Sequence, residues 1–589
     1  METVQGIPVS PGVAIAEALV VLPRFARVRR RTLAAEHLDD ELFALDAAIA
    51  ASTADLDALS EKTAASLGGD IGRIFDFHRG MLADPNLLSQ IRGSIRNERV
   101  GAAYAVHSVF QRYAENFRAL QDRYLRERVS DLFDLERRLL GHLDVDATPD
   151  LHEVKQPCVV VAEDLTPSQT AGLDKRLVRG IVTDAGGRTS HTAILAHALG
   201  IPAVVGVERA TQVVNPGDTV IVDGNRGVVI SSPNGPQLLE YREAIKRQKS
   251  RDAKRAELRA APARTRDGTE IELLANIEFP HETREAIDNG AAGIGLYRTE
   301  FVFLAADHEP TEDEQYAAYR EAIAGLDGRP LTVRTLDLGA DKVADYLEDG
   351  GPGIEANPVL GCRSIRLCLQ NLPMFKTQLR AILRASAEGP VRIMFPLISS
   401  IMELRQARMV LSDVREDLTE EGVAFADDIP VGMMIEVPSA ALQARTFAPE
   451  VDFFSVGTND LVQYTLAVDR GNERVAPLFS AAHPAVLMLL KDVLRSADRS
   501  QTPVSVCGEM AGQPEFTMLL LGLGLRTFSM SAPSIPEIKE ILRAVSIDQC
   551  RRVARKAAGF DSAREVVQYL RDELGRILPE SYGNGGNWD

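Results

Sequence analysis

VGMMIEVPSAALQARTFAPEVDFFSVGTND, residues 431–460, holds two short apolar runs with a helical segment between them. Residues 431–437 (VGMMIEV) and 453–456 (FFSV) read as short buried strands. The same unit recurs in both directions. Upstream lie 271–277 (IELLANI), 292–297 (AGIGLY), 331–336 (LTVRTL) and 391–395 (VRIMF); downstream lie 503–507 (PVSVC) and 526–530 (RTFSM). Helical segments separate them. Eight βα units over about 300 residues predict a closed (β/α)8 barrel, whose chemistry sits just past the strand C-termini. Arg298 follows GIGLY, Arg334 lies near the end of LTVRTLDLG, and Glu436 ends VGMMIE. Asn459 and Asp460 follow FFSVGT, and Cys507 ends PVSV. The chemically loaded residues therefore fall where such a barrel places its site.

The N-terminal part has other periods. Val13, Ile15, Leu19, Val20 and Val21 predict a strand in 1–22. A helical period follows. Leu38, Leu42, Leu45 and Ile49 line one face, Val106, Phe110, Tyr113, Phe117 and Leu120 a second, and Leu132, Leu135 and Leu139 a third. These predict a helical bundle. Strands then alternate with helices again, as in Cys158–Ala162, Val220–Asp223 and Val228–Ile230. The expected organisation is multidomain α/β. An α/β domain takes 1–22 plus 145–232, with the helical subdomain 23–144 inserted into it. A solvated helical linker at 233–262 serves as a hinge. The barrel occupies 263–575, and 576–589 is a flexible tail.

No stretch of about 18 uninterrupted apolar residues exists, so no membrane span is expected. Glu2 stands where a signal peptide carries positive charge. The five cysteines are scattered, without a CxxC pair, which points to a reduced, cytoplasmic setting. A net charge of −18 argues against nucleic acid and favours a basic partner or none. Acids crowd residues 36–84, where only Lys62, Arg73 and Arg79 oppose them. That run is either a solvated face or a docking surface for a small basic protein.

A second loaded stretch is VTDAGGRTSHTAILAHALGIPAVVG, residues 182–206. Ser190 is a good N-cap, Ile194, Leu195, Ala198 and Leu199 have helical spacing, and Gly200 with Pro202 ends the helix. His191 then stands at a helix N-terminus beside the Gly186–Gly187 turn, where negative charge is stabilised. Arg188 adds a full positive charge. Two readings of the residues stay open: a satisfied structural histidine, or an acceptor of a phosphoryl group. His197, in mid-helix, reads as structural.

GGRTSHTAILAHALGIPAVVG resembles the phosphohistidine segment of the phosphoenolpyruvate-using enzyme family, which includes pyruvate phosphate dikinase, phosphoenolpyruvate synthase and enzyme I of the bacterial sugar phosphotransferase system. GLYRTEF, VRTLDLGADK, NPVLGCRSIR, MMIEVPSA, FFSVGTNDLVQYTLAVDRGN and VCGEMAG resemble the phosphoenolpyruvate-binding barrel of the enzyme I branch. The resemblance runs from Pro8 to residue 575. It implies that His191 accepts the phosphoryl group on Nε2, with Thr170 of DLTPSQT and Arg188 supporting it. It implies Arg298, Arg334, Arg363, Arg470, Asn459, Asp460 and Lys342 around the substrate. It implies Glu436 and Asp460 on Mg2+, and Cys507 as the group that protonates the enolate. These residue types suit the task. Guanidinium forks match phosphate and carboxylate, and carboxylates match a hard cation. One departure is Cys362, which stands where the family usually has Trp, and predicts a smaller wall beside Arg363.

The activity so implied is phosphoryl transfer from phosphoenolpyruvate to His191, then to a histidine-containing phosphocarrier protein docked on the helical subdomain, with release of pyruvate. This is the first step of sugar uptake and phosphorylation driven by phosphoenolpyruvate. A homodimer through the barrel is implied as well. Two alternatives stand beside it: a truncated dikinase-like or synthase-like enzyme, and a regulator that senses phosphoenolpyruvate without turnover. The chain has no P-loop.

Overall fold

Strands from both sides of the helical segment build one mixed sheet in the N-terminal part of the chain. They are β1 (Glu2–Gln5), β2 (Ile7–Ser10), β3 (Val13–Val21), β4 (Cys158–Ala162), β5 (Val178–Thr183), β6 (Ala203–Val205), β7 (Thr219–Asp223) and β8 (Val228–Ser231). Their order across the sheet is β1-β8-β7-β3-β4-β5-β6-β2. β3 pairs antiparallel with β7 and parallel with β4, so the first strands of the chain lie within the sheet formed by residues 158–231. Every residue of β4 is buried, as expected of a strand covered on both faces. The computed structural model describes residues 2–21, 30–34, 37–67, 74–119, 129–143, 154, 156–165, 169, 173–187, 190–304, 308–339, 357–470, 472 and 474–583. Two units result, Met1–Lys249 and Ser250–Trp588.

Between β3 and β4 in sequence run the helices Leu38–Leu67, Ile74–Ala83, Pro85–Glu98, Ala102–Ala119 and Val129–His142. Leu45, Ile91, Val106, Phe110, Leu132, Leu135 and Leu139 meet in their fully buried core. The three apolar faces expected from the period thus converge; Leu120 lies outside the described residues. The acid run looks different once folded. Asp46 pairs with Arg92 at 2.8 Å, and Asp55 with Arg138 at 3.3 Å and His142 at 2.8 Å. Glu41 pairs with Arg31 at 3.1 Å. Asp46 and Asp55 are therefore answered by cations from other helices of the bundle.

In the second unit β9 (Glu272–Ile277), β10 (Ile294–Arg298), β11 (Leu331–Arg334), β12 (Val391–Phe395), β13 (Val431–Ile435), β14 (Phe453–Val456), β15 (Val504–Val506) and β16 (Thr527–Ser531) close into a barrel. All eight pairings are parallel, and β16 returns to β9. This is the predicted (β/α)8 architecture. The run LTVRTL keeps one more backbone bond past Arg334, from the Thr335 N–H to the Met394 carbonyl at 3.1 Å, and then leaves the ladder for a specific reason. Leu336 donates its N–H to Gln378 Oε1 at 2.9 Å rather than to a neighbouring strand.

Gln378 also donates from Nε2 to Thr299 Oγ1 at 3.1 Å, and Thr299 Oγ1 donates to the Arg334 carbonyl at 2.9 Å. This buried chain fixes the strand end that carries Arg334. Gln378→Met removes these two contacts and the 3.3 Å donation to the Tyr319 hydroxyl at once while keeping the volume. Each polar group so orphaned costs about 1–3 kcal/mol. A lowered urea midpoint with an unchanged m-value is the expected result, and an unchanged midpoint would show that water replaces the amide.

Candidate active site

At the C-terminal mouth of the barrel lies a cavity of about 350 Å³. Arg298, Arg334, Arg363, Glu436, Asn459, Asp460, Arg470 and Cys507 all line it. Eight of the residues expected from the sequence thus come together, from the ends of five different strands and the loops beyond them. Thr170, Arg188 and Lys342 lie outside the described residues.

The arginines are held by carboxylates. Arg334 spans Glu300 (2.9 Å) and Asp337 (2.9 Å). Asp337 also takes Arg363 at 2.8 Å, and Arg363 reaches toward Asp460 at 3.9 Å. Arg298 pairs with Glu278 at 2.6 Å. Arg470 is looser, half exposed and 3.8 Å from Glu509. Asn459 Nδ2 donates to Glu509 Oε1 at 3.0 Å, and the Glu509 N–H returns a bond to Asn459 Oδ1 at 3.1 Å. Two inner arginines are thus fixed and two rim arginines are accessible. Pre-paired guanidinium forks need little reordering when an anion arrives.

Charge sets the next requirement. Four arginines face six carboxylates in the described lining: Glu278, Glu300, Asp337, Glu436, Asp460 and Glu509. The formal excess is negative. The consequence shows on Glu436 and Asp460. Burial, then the neighbouring carboxylates, push the Glu436 carboxyl well above its ordinary range and raise that of Asp460. Asp337 behaves otherwise. Burial acts to raise it, but Arg334 and Arg363 outweigh burial and leave it below the usual carboxylate range. Burial likewise opposes the Arg334 charge, while Glu300, Asp337 and Glu436 hold it more firmly protonated than usual.

The floor of the cavity is apolar. Leu296, Met434 and Cys507 line it and pack with Met394 and Phe453 inside the barrel. The Cys507 thiol is buried, contacts the Val456 carbonyl at 3.6 Å, and burial above all pushes its pKa up to about 11. It keeps its proton at neutral pH.

Four lining acids were not singled out from the sequence: Glu278, Glu300, Asp337 and Glu509. Three of them sit inside the quoted motifs GLYRTEF, VRTLDLG and VCGEMAG, a few residues past a strand end. Glu278 directly follows β9, so the strand-end rule would have found it. Cys362 departs from expectation. Among the described residues it is not part of the cavity wall. Its thiol points to Gln370 Oε1 at 3.2 Å, and it packs against the barrel core.

In the first unit the helix His191–Leu199 begins at the expected histidine. The Ser190 hydroxyl accepts the Ala193 N–H at 3.3 Å, as an N-cap does. Gly186 takes φ +104°, the turn conformation that glycine permits. Thr192 Oγ1 donates to the Leu165 carbonyl at 3.2 Å and ties the first helical turn to the segment after β4. The His191 side chain lies outside the description.

Known families match most of the chain just described. The PEP-binding domain of PEP-utilising enzymes matches residues 252–547, their N-terminal domain residues 5–128, and their mobile domain residues 154–227. The chain belongs to the PEP-utilising enzyme family. Its relatives narrow the class. It is 44% identical over 570 residues to the phosphoenolpyruvate-protein phosphotransferase of Geobacillus stearothermophilus, covering 97% of this chain and 98% of the relative. It is 41% identical over 572 residues to the phosphoenolpyruvate-protein phosphotransferase of Bacillus subtilis (strain 168), covering 97% and 100%. A solution NMR structure of Enzyme I (nEIt) is 34% identical, covers 42% of this chain and 99% of its own, and superposes with a TM-score of 0.36.

Proposed function

We propose that the chain is a phosphoenolpyruvate–protein phosphotransferase that carries the phosphoryl group on His191 Nε2. The observation that bears most weight is the barrel mouth. It joins four guanidinium groups, two buried carboxylates and a protonated thiol over an apolar floor. Phosphoenolpyruvate offers one phosphate, one carboxylate and one methylene, and each finds a matching surface.

The rim and inner arginines bind the two anionic groups, and the Asn459 amide donates to phosphate. His191 Nε2 attacks phosphorus in line. The N–P bond forms, the P–O bond to the enol oxygen breaks, and the electron pair stays on the enolate. Cys507 gives its thiol proton to the methylene carbon above Leu296 and Met434, and pyruvate forms. The thiolate regains a proton from water. Positioning and charge neutralisation dominate such transfers. His191 then passes its phosphoryl group to the histidine-containing phosphocarrier protein. Thr170 and Arg188 support the imidazole, and Lys342 adds charge near the substrate.

A divalent cation fits the mouth. The lining carries excess negative charge, and an anionic substrate enters it only with added positive charge. Gly457 leaves room beside the carboxylate, since a methyl group there would lie 2.6 Å from Glu436 Oε2. Among the described residues no three His, Cys, Asp or Glu side chains form a closed metal cluster. Two carboxylates with open positions suit Mg2+, which keeps substrate oxygens and water as ligands. Mg2+ held by Glu436 and Asp460 would supply charge that stabilises the phosphate and the developing enolate oxygen. Glu436→Ala and Asp460→Ala are each expected to raise the half-saturating Mg2+ concentration at least about tenfold. Near-normal rates at low Mg2+ would remove that residue from the metal site.

The helical bundle serves as the phosphocarrier's docking surface, and the net charge of −18 favours a basic partner. The family resemblance also implies a homodimer through the barrel unit. No helix among the described residues is long and apolar enough to cross a membrane. We place the protein in the cytoplasm. The deciding experiment supplies labelled phosphoenolpyruvate and Mg2+. Acid-labile, base-stable label on the protein, passed on to a purified phosphocarrier, is the expected result. Label that appears only with ATP would favour the dikinase-like reading, and binding without label the sensor.

A further inference from the structure

A second cavity, of about 480 Å³, lies among helices on the outside of the barrel. Lys491 and Arg495 reach it from the helix Pro484–Ser500, and Arg551, Arg552 and Arg555 from the helix Ile547–Ala557. Asp548 is its single acid. The helix Thr517–Leu523 closes it from below and ends just before β16 begins. The cavity therefore belongs to the end of the barrel where strands start, opposite the mouth that holds Arg298 and Asp460. The phosphoenolpyruvate site does not account for it.

Five cations against one acid run counter to a chain with 66 basic and 84 acidic residues. Arg551 pairs with Asp548 at 3.1 Å. The other four cations have no carboxylate partner among the described residues. Lys491 with Arg495, and Arg551 with Arg555, are like-charge pairs one helical turn apart, a spacing that is destabilising. Arg526 beside them feels the same field. Burial first, and the Arg551 charge second, lower its pKa. Leu523, Ala554 and Ala558 give the cavity an apolar floor.

We propose that this cavity binds a small polyanion with at least two phosphate groups, as in a nucleoside di- or triphosphate or a short inorganic polyphosphate. Its volume lies in the small-molecule range of about 300–1,000 Å³. Cations converging from two helices exceed what one phosphate satisfies, and phosphates relieve their mutual repulsion. The concave shape favours a compact ligand over a flat macromolecular surface.

The test titrates the full chain with sodium tripolyphosphate, and separately with ATP, by calorimetry. EDTA is present so that no cation assists binding at the barrel mouth. Because tripolyphosphate also suits the mouth's arginines, the charge reversal R552E/R555E decides. Both residues are exposed and far from the catalytic mouth, so turnover of phosphoenolpyruvate should persist. One site per chain that is lost in R552E/R555E is expected. Affinity should weaken with salt, and fall roughly tenfold or more in R552E/R555E, with R552Q/R555Q between. Tighter binding of ATP than of tripolyphosphate would assign the floor to a nucleoside; equal binding would assign the site to the phosphate chain alone. No saturable binding, or equal binding by wild type and R552E/R555E, overturns the proposal. So does a dimer that falls apart in R552E/R555E while wild type binds neither probe, since the cations would then serve a subunit contact.

Discussion

His191→Ala is expected to abolish phosphoryl transfer while leaving phosphoenolpyruvate affinity close to wild type. The groups proposed to recognise the substrate all belong to the barrel unit: Arg298, Arg334, Arg363, Asn459 and Arg470 line one cavity. The proposed acceptor, His191, belongs to the other unit, at the start of the helix His191–Leu199. Alanine keeps good helix propensity at that position, so the helix and its Ser190 cap should remain. What disappears is the imidazole, and with it the only proposed covalent route for the phosphorus. No neighbouring group is proposed to replace it, so label incorporation should drop below detection rather than by a modest factor. Calorimetry with phosphoenolpyruvate and Mg2+ measures binding, and labelled substrate measures transfer. A comparable loss of both would mean that the histidine is part of the binding site, and would sink the division of labour between the units.

The barrel was legible because each strand is a short apolar run with a helical segment on either side. The period alone places residues 431–435 and 453–456 as neighbours, and they pair in register. The site was legible for the same reason, since a parallel barrel gathers whatever follows its strands. The pairing of charges was not. Arg363 meets Asp460 only because the closed barrel brings the segment after β11 beside the segment after β14, and it meets Asp337 across 26 residues of the segment after β11. No local pattern encodes that meeting. The pairing of the acid run of residues 36–84 was hidden in a related way. Arg92 and Arg138, which answer Asp46 and Asp55, lie outside the window in which charges were counted. At Cys362 the residue type was read as part of the substrate wall, but side-chain direction comes from a backbone geometry that one residue cannot reveal.

Cys507→Ala should slow steady pyruvate formation by roughly 10²–10⁴-fold, the usual worth of a positioned general acid. Substrate binding and the first phosphorylation of His191 should change far less. The separation follows from the chemistry. Breaking the P–O bond needs the arginines, the carboxylates and the histidine, whereas protonating the methylene carbon needs an acid on the apolar side. Cys507 stands on that side with Leu296 and Met434. A carbon acid-base step requires a donor that holds its proton until the enolate forms, and burial keeps this thiol protonated with a pKa of about 11. Without it, water must protonate the enolate beside the apolar side chains of Leu296 and Met434. The competing account is a packing role, since Cys507 is buried in the small cluster with Met394 and Phe453. The two accounts differ in what they move. Loss of packing lowers the melting temperature and leaves the folded enzyme's turnover unchanged. Loss of the acid leaves melting nearly unchanged and separates a fast single phosphorylation of His191 from a slow release of pyruvate. Cys507→Ser sharpens the distinction, because a hydroxyl fits the space but is a far weaker acid. Normal turnover in the serine variant would assign Cys507 to packing.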